Sequence, residues 1–175
     1  METSLPGQMP DQVDKVLAQW AAAAPAVNVA PMAVMSRLFR LVKRVEKEMA
    51  RRFRDHGLQE GEFDLLATLY RAGPPCALTP QQLVHAILLS SAAMTHRLDR
   101  LEAAGFVRRE ANPEDRRSVV VVLTGAGQAA LLRALGDYLD VMESFLAPLD
   151  AAGRARLAGL LKAMLLYPDG DGGVL

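Results

Sequence analysis

β-Structure has one place to form in this chain, directly after a short pair of helices. Residues 106–111 and 118–123 are strand candidates, and the turn between them reads NPEDRRS ahead of four successive valines. β-Branched residues suit a pleated surface, and two such runs joined by a short segment of turn residues make a hairpin. Upstream, Thr79 and Pro80 form a cap followed by proline at the first helical position, which opens a short helix to about Ile87. Ser90 caps the next helix, expected over 91–104, and Gly105 ends it. A helix–turn–helix followed by a hairpin is a winged helix.

The rest of the chain reads as helix. It is 51% hydrophobic but only 5% aromatic, which favours helices packed on helices. Residues 11–23 place Val13, Val16, Leu17 and Trp20 on one face. A linker follows at 25–31, then an amphipathic helix over 32–55. That helix repeats Met35, Leu38, Val42, Val45, Met49 and Phe53 at three- and four-residue spacing, and its other faces carry eight Lys/Arg residues between Arg37 and Arg54. Gly57 ends it. A third helix is expected over 63–71, closed by GPP at 73–75. Thr124 caps the last helical section, in which Leu132, Leu135, Leu139, Met142 and Leu146 repeat as a heptad seam. After Pro148, Leu157, Leu160, Leu161, Met164 and Leu165 form a final apolar stripe, and the tail PDGDGGVL reads as disordered.

The expected fold class is mainly α with a small β-hairpin: a winged helix–turn–helix with interlocking N- and C-terminal dimerisation helices. The expected organisation is an N-terminal extension with an extra helix (1–30), dimerisation helices (31–56 and 124–167), a winged helix–turn–helix domain (57–123) and a tail (168–175). The flanking helices carry more apolar seam than one small domain covers. A homodimer in which they interlock resolves this, and a closed monomeric bundle is the alternative.

Composition narrows the function. At 175 residues with 20 basic and 20 acidic side chains, no global field attracts a polyanion, so nucleic-acid contact must come from local clustering. The single cysteine, Cys76, rules out an internal disulfide framework and suits a reducing, cytoplasmic setting. The longest uncharged stretch, Val16 to Ser36, contains Gln19, Pro25, Asn28 and Pro31 and is alanine-rich, so no membrane span is expected. Glu2, Asp11 and Asp14 precede it, which fits a signal peptide poorly. An enzyme is disfavoured: there is no glycine-rich phosphate loop, His56, His85 and His96 lack metal-ligand spacing, and Cys76 has no evident paired base. No cofactor or metal is expected.

At about 100° per residue, residues 91–104 place Met94, Leu98 and Leu101 together as a buried face. Ala92, Ala93, His96, Asp99, Arg100 and Ala103 fall opposite. Small residues near the start let a helix sit deep in a groove, and His96 and Arg100 are the donors for bases or phosphates. The bland alternative is a solvated face. Arg97 lies on the flank bordering the core, poorly aimed at a groove. In the turn, Asp115 is placed to pair with Arg117 and orient its guanidinium for a narrow minor groove. Arg116 is freer and is expected to take phosphate. The expected DNA-binding set is Ser90, Ser91, Ala92, Ala93, His96, Arg100, Asp115, Arg116 and Arg117.

The segment LTPQQLVHAILLSSAAMTHRLDRLEAAGFVRREANPEDRRSVVVVLTGAG, residues 78–127, resembles the MarR family of transcriptional regulators. The specific parts are the D-x-R at Asp115 and Arg117, Leu123-Thr124 followed by Gly127, and the helix ending LDRLEAAGFVRR. The resemblance implies a homodimer with intertwined terminal helices on a double-stranded, pseudopalindromic operator. The extra N-terminal helix with a tryptophan is similar to the urate-responsive branch, of uricase-repressor and PecS type. That likeness implies a ligand pocket of Trp20, Asp64, Arg97 and Arg109, and a repressor released by a small anionic effector: urate, or a citrate- or aconitate-like acid. Two arginines near one acid suit such an anion, with Asp64 expected to pair with Arg97 in the DNA-competent state. The rival readings are a redox sensor acting through Cys76 and a ligand-independent DNA-binding protein.

Overall fold

A computed structural model describes residues 9–59, 61–87, 91–112, 115 and 117–167, without the side chains of Ser91 and Ala92. The order is α1 (Gln12–Ala23), α2 (Ala30–Asp55), α3 (Glu62–Arg71), β1 (Ala77–Leu78), α4 (Pro80–Ile87), α5 (Ser91–Ala103), β2 (Val107–Ala111), β3 (Val119–Leu123), α6 (Gly125–Leu146) and α7 (Ala151–Leu165). The expected tail at 168–175, the Ser90 cap and Arg116 lie outside the described residues.

Most boundaries follow from local chemistry. Asp11 caps α1 in a reciprocal box with Asp14. Arg37 of α2 then reaches back to both acids, at 2.8 Å from Asp11 Oδ2 and 2.7 Å from Asp14 Oδ1, fastening the extra helix to α2. That pairing, led by the Arg37 hydrogen bond, lowers the Asp11 carboxyl from 3.8 to about 2. At the end of α2 the Leu58 amide donates to the Phe53 carbonyl across Gly57, whose φ of +73° needs no Cβ, and Leu58 is buried. Thr79 and Gln82 form a second reciprocal box at the start of α4. The Thr124 hydroxyl accepts from the Gly127 amide at 3.0 Å to start α6, as its capping role required.

The sheet is larger than a hairpin. β3 lies in the middle, antiparallel to both neighbours, with Val107 opposite Leu123 on one side and Ala77 opposite Val122 on the other. The strand β1 has only two residues, below any window in which alternation can be read, so the sequence reading missed it. It begins directly after Cys76, which carries a φ of +57°, and pairs antiparallel with β3.

The core gathers on α3. Leu65, Leu66 and Leu69 are fully buried against Leu83 of α4, Met94, Leu98 and Leu101 of α5, Val107 and Val121 of the sheet, and Leu131 and Val141 of α6. The expected inner face of α5 is the observed one. On α2, by contrast, only Met49 and Phe53 of the expected stripe are buried, while Met35 and Val42 of that stripe stay exposed, as do Val34, Phe39 and Leu41 beside it. The α6 seam points the same way: Ala130, Leu131, Ala134 and Val141 face the core, and Leu132 and Leu139 face out. On α7, Leu160, Met164 and Leu165 are exposed too. Among the described residues no helix is long and apolar enough to cross a membrane.

Candidate nucleic-acid interface and ligand cavity

The second helix of the helix–turn–helix, α5, leans chiefly on α4 and β2. His96 and Ala103 are exposed on its outer face, as the wheel placed them, and Ala93 is half-buried. Arg100 departs from its expected place. Its Nε donates to Oε1 of Glu62 at 2.7 Å, and the Glu62 side chain is only 2% exposed. The wheel put Arg100 far from Met94 and Leu98, but it also lies on the Arg97 flank, from which a long side chain reaches the start of α3. That ion pair raises the Arg100 guanidinium above its ordinary value.

The wing is held by short side chains. Asp115 Oδ1 accepts from the Arg117 backbone amide at 3.0 Å, the Asp115 carbonyl accepts from the Ser118 amide, and Asn112 Nδ2 donates to Ser118 Oγ at 2.9 Å. Asp115 was expected to hold the Arg117 guanidinium. A two-residue separation instead suits the turn in which an Asp side chain binds the backbone two residues on. Arg117 is exposed, and among the described residues its guanidinium makes no ion pair.

The four residues expected to form a ligand pocket do not all meet. Asp64 and Arg97 line one cavity of about 370 Å³, together with Phe53 and Phe63, Tyr138 and Met142 of α6, and Ile87 of α4. The Arg97 guanidinium lies over Gly61, where an added Cβ would stand 2.5 Å from its central carbon. The expected Asp64–Arg97 ion pair is not formed, and among the described residues neither side chain makes one. Three rings wall the cavity in a stack: Phe63 stands 4.8 Å from Phe53 and 5.0 Å from Tyr138, centroid to centroid. Only the Phe53 spacing on its helix was visible beforehand, since a stack drawn from three helices leaves no mark in a one-dimensional pattern. Glu62 was also missed: its carboxylate accepts the Gln59 amide at 2.7 Å, but Gln59 is not a capping residue type and Gly61 holds the cap position of α3, so no helix-start signature marked it.

Trp20 and Arg109 stand elsewhere. Trp20 is 44% exposed on α1 and lines no part of this cavity. Arg109 of β2 donates to Asp99 and to Glu102 of α5, each at 2.6 Å, bracing the wing base against the helix. The Asp99 hydrogen bond leads in raising its guanidinium above the ordinary value. Cys76 is half-buried and free. Among the described residues no group of His, Cys, Asp and Glu side chains could hold a metal ion.

Residues 58–119, from the end of α2 to the start of β3, match the MarR family. The HTH-type transcriptional regulator PecS of Dickeya dadantii is 35% identical over 150 residues, which span 86% of this chain and 90% of that one. A variant of Escherichia coli MarR complexed with operator DNA superposes with a TM-score of 0.68 at 25% identity, covering 78% of this chain and 95% of the other. BpsR of Bordetella bronchiseptica, whose DNA binding is regulated by 6-hydroxynicotinic acid, superposes with a TM-score of 0.67 at 25% identity, covering 77% and 94%. With a three-stranded wing, a matching helix–turn–helix and a relative alike along most of its length, this chain belongs to the MarR family of winged-helix, DNA-binding transcriptional regulators.

Proposed function

We propose that this regulator is a repressor that binds a pseudopalindromic operator as a homodimer and is released by a small anionic effector. The observation that carries the effector reading is the cavity beside α5, where Asp64 and Arg97 meet a wall of three stacked rings without pairing with each other. A volume near 370 Å³ lies at the small end of ligand pockets and suits a planar heterocycle. Urate matches the charges: an anionic, carbonyl-bearing edge for the Arg97 guanidinium and ring N–H donors for the Asp64 carboxylate. Citrate- and aconitate-like acids offer Arg97 the first partner but set a carboxylate against Asp64.

The DNA face in this reading is the outer side of α5 with the wing. Small residues Ser91, Ala92 and Ala93 let α5 enter the major groove and His96 supplies a donor, while Arg117 at the wing tip reaches the minor groove. Ser90 and Arg116 belong to the same set by sequence alone. The exposed apolar rows of α2, α6 and α7 are the faces that two protomers would cover. Effector binding would draw Arg97 off Gly61 and so shift α5, and a preference of about 1.4 kcal/mol for the shifted state lowers DNA affinity tenfold. Trp20 and Arg109 belong to the pocket by family likeness, not by their position in this structure.

The test is Asp64→Asn and Arg97→Ala in an operator-release assay with urate. Both should fold normally; Asp64→Asn should bind DNA like the wild type and Arg97→Ala, which lacks the contact over Gly61, more weakly, and both should need at least about tenfold more urate for release, the loss of one charge-assisted contact. A full response in both variants removes the cavity from the account.

A further inference from the structure

Among the described residues Glu62 is the one buried acidic side chain, and a buried carboxylate persists only when it is paired and hydrogen-bonded. Its two oxygens are divided between two duties. Oε2 accepts the Gln59 amide at 2.7 Å, fixing the start of α3, and Oε1 accepts Arg100 Nε at 2.7 Å, fixing α5. Arg97, one turn earlier on α5, lies over the neighbouring Gly61. Two consecutive residues at one corner of α3 thus receive two arginines from α5, which otherwise leans on α4 and β2. From this geometry we propose that Arg100 is a positioning residue: held by Glu62, it sets the angle at which α5 meets DNA, and it does not itself read DNA.

The proposal rests on α5 being the DNA-reading helix. It also ties the effector cavity to that helix. An effector that moves Arg97 off Gly61 acts on the same corner that holds Arg100, so no separate relay is needed.

Two variants, Glu62→Gln and Arg100→Gln, with their double, separate positioning from contact. Specific operator affinity and non-specific DNA affinity are measured across a salt series for the full-length chain. If Arg100 positions the helix, each single variant weakens operator binding about tenfold, comparable to losing one good base contact. The double variant is then no worse than either single one, because both remove the same bond. Non-specific affinity and the salt slope stay at wild-type values, which a loss of folded protein would not allow. If Arg100 instead touches phosphate, Arg100→Gln lowers the slope by about 0.9 and Glu62→Gln leaves binding intact or tighter; that result overturns the proposal. Hydrogen exchange of the α5 amides, read without DNA, is the second readout. Exchange should quicken in both single variants, and unchanged exchange in both refutes the positioning role. Failure of the wild type to bind operator DNA would sink the functional reading, while exchange would still decide whether the bond positions α5.

Discussion

Replacing Gly61 with alanine strikes the point where backbone conformation and the candidate cavity meet. The residue has a φ of +73°, and an added Cβ would lie 2.5 Å from the Arg97 Cζ and 2.9 Å from its Nη2. Holding a Cβ-bearing residue in the left-handed region costs about 1–2 kcal/mol. The clash is with the free end of a flexible side chain, so the guanidinium swings away and adds little to that cost, while it loses its place beside Asp64. For a chain of this size the expected fall in melting temperature is about 2–8 °C. Urea denaturation followed by circular dichroism measures the stability change, and operator release measures the response. The stability cost should persist in an Arg97→Ala background, because its source is the backbone. The effector response of Gly61→Ala should fall to that of Arg97→Ala. An alanine variant as stable as wild type, or one with an undiminished effector response, would refute this reasoning.

Three further outcomes are expected. Leu98→Ala empties a site 2% exposed in the centre of the core and should cost about 2–5 kcal/mol in denaturant unfolding, with DNA binding lost through instability. Thr124→Ala removes the α6 cap and the 2.7 Å bond from the Thr124 hydroxyl to the Gly105 carbonyl, and should cost about 1 kcal/mol by the same assay. The latch between α1 and α2 should be acid-labile: the folded Asp11 carboxyl titrates near 2, below its ordinary 3.8, so its contribution is present above about 3.8 and is lost as pH falls toward 2. Trp20 fluorescence should report that loss, and Arg37→Ala should abolish the transition.

The local grammar of this chain is written plainly in its sequence. Proline after Thr79, glycine at 57 and 105 and the capping Thr124 set helix ends within a residue or two, because each acts on its own backbone. The buried face of α5 was readable for the same reason, since three apolar residues at helical spacing admit one packing side. What failed to be legible depends on long side chains or on distant partners. Arg100 and Arg97 stand on one flank of α5, and which of them turns to Glu62 and which lies over Gly61 is decided by α3, nearly 40 positions away. Arg109, assigned to a ligand pocket by family likeness, is committed in the structure to Asp99 and Glu102 of α5. The exposed half of the α2 stripe is a different case: the pattern correctly marked apolar positions, but periodicity cannot say whether their cover comes from the same chain.

The central claim is that a small anion and an operator compete for this protein through the cavity at Asp64 and Arg97. The most direct measurement is a titration of the purified full-length protein on operator DNA at fixed near-physiological salt, with and without urate, and with citrate and trans-aconitate in parallel. The account predicts that urate raises the midpoint of DNA binding at least about tenfold, a coupling of about 1.4 kcal/mol, and that the two acids do so less well. Specific DNA binding that none of the three anions disturbs would contradict it.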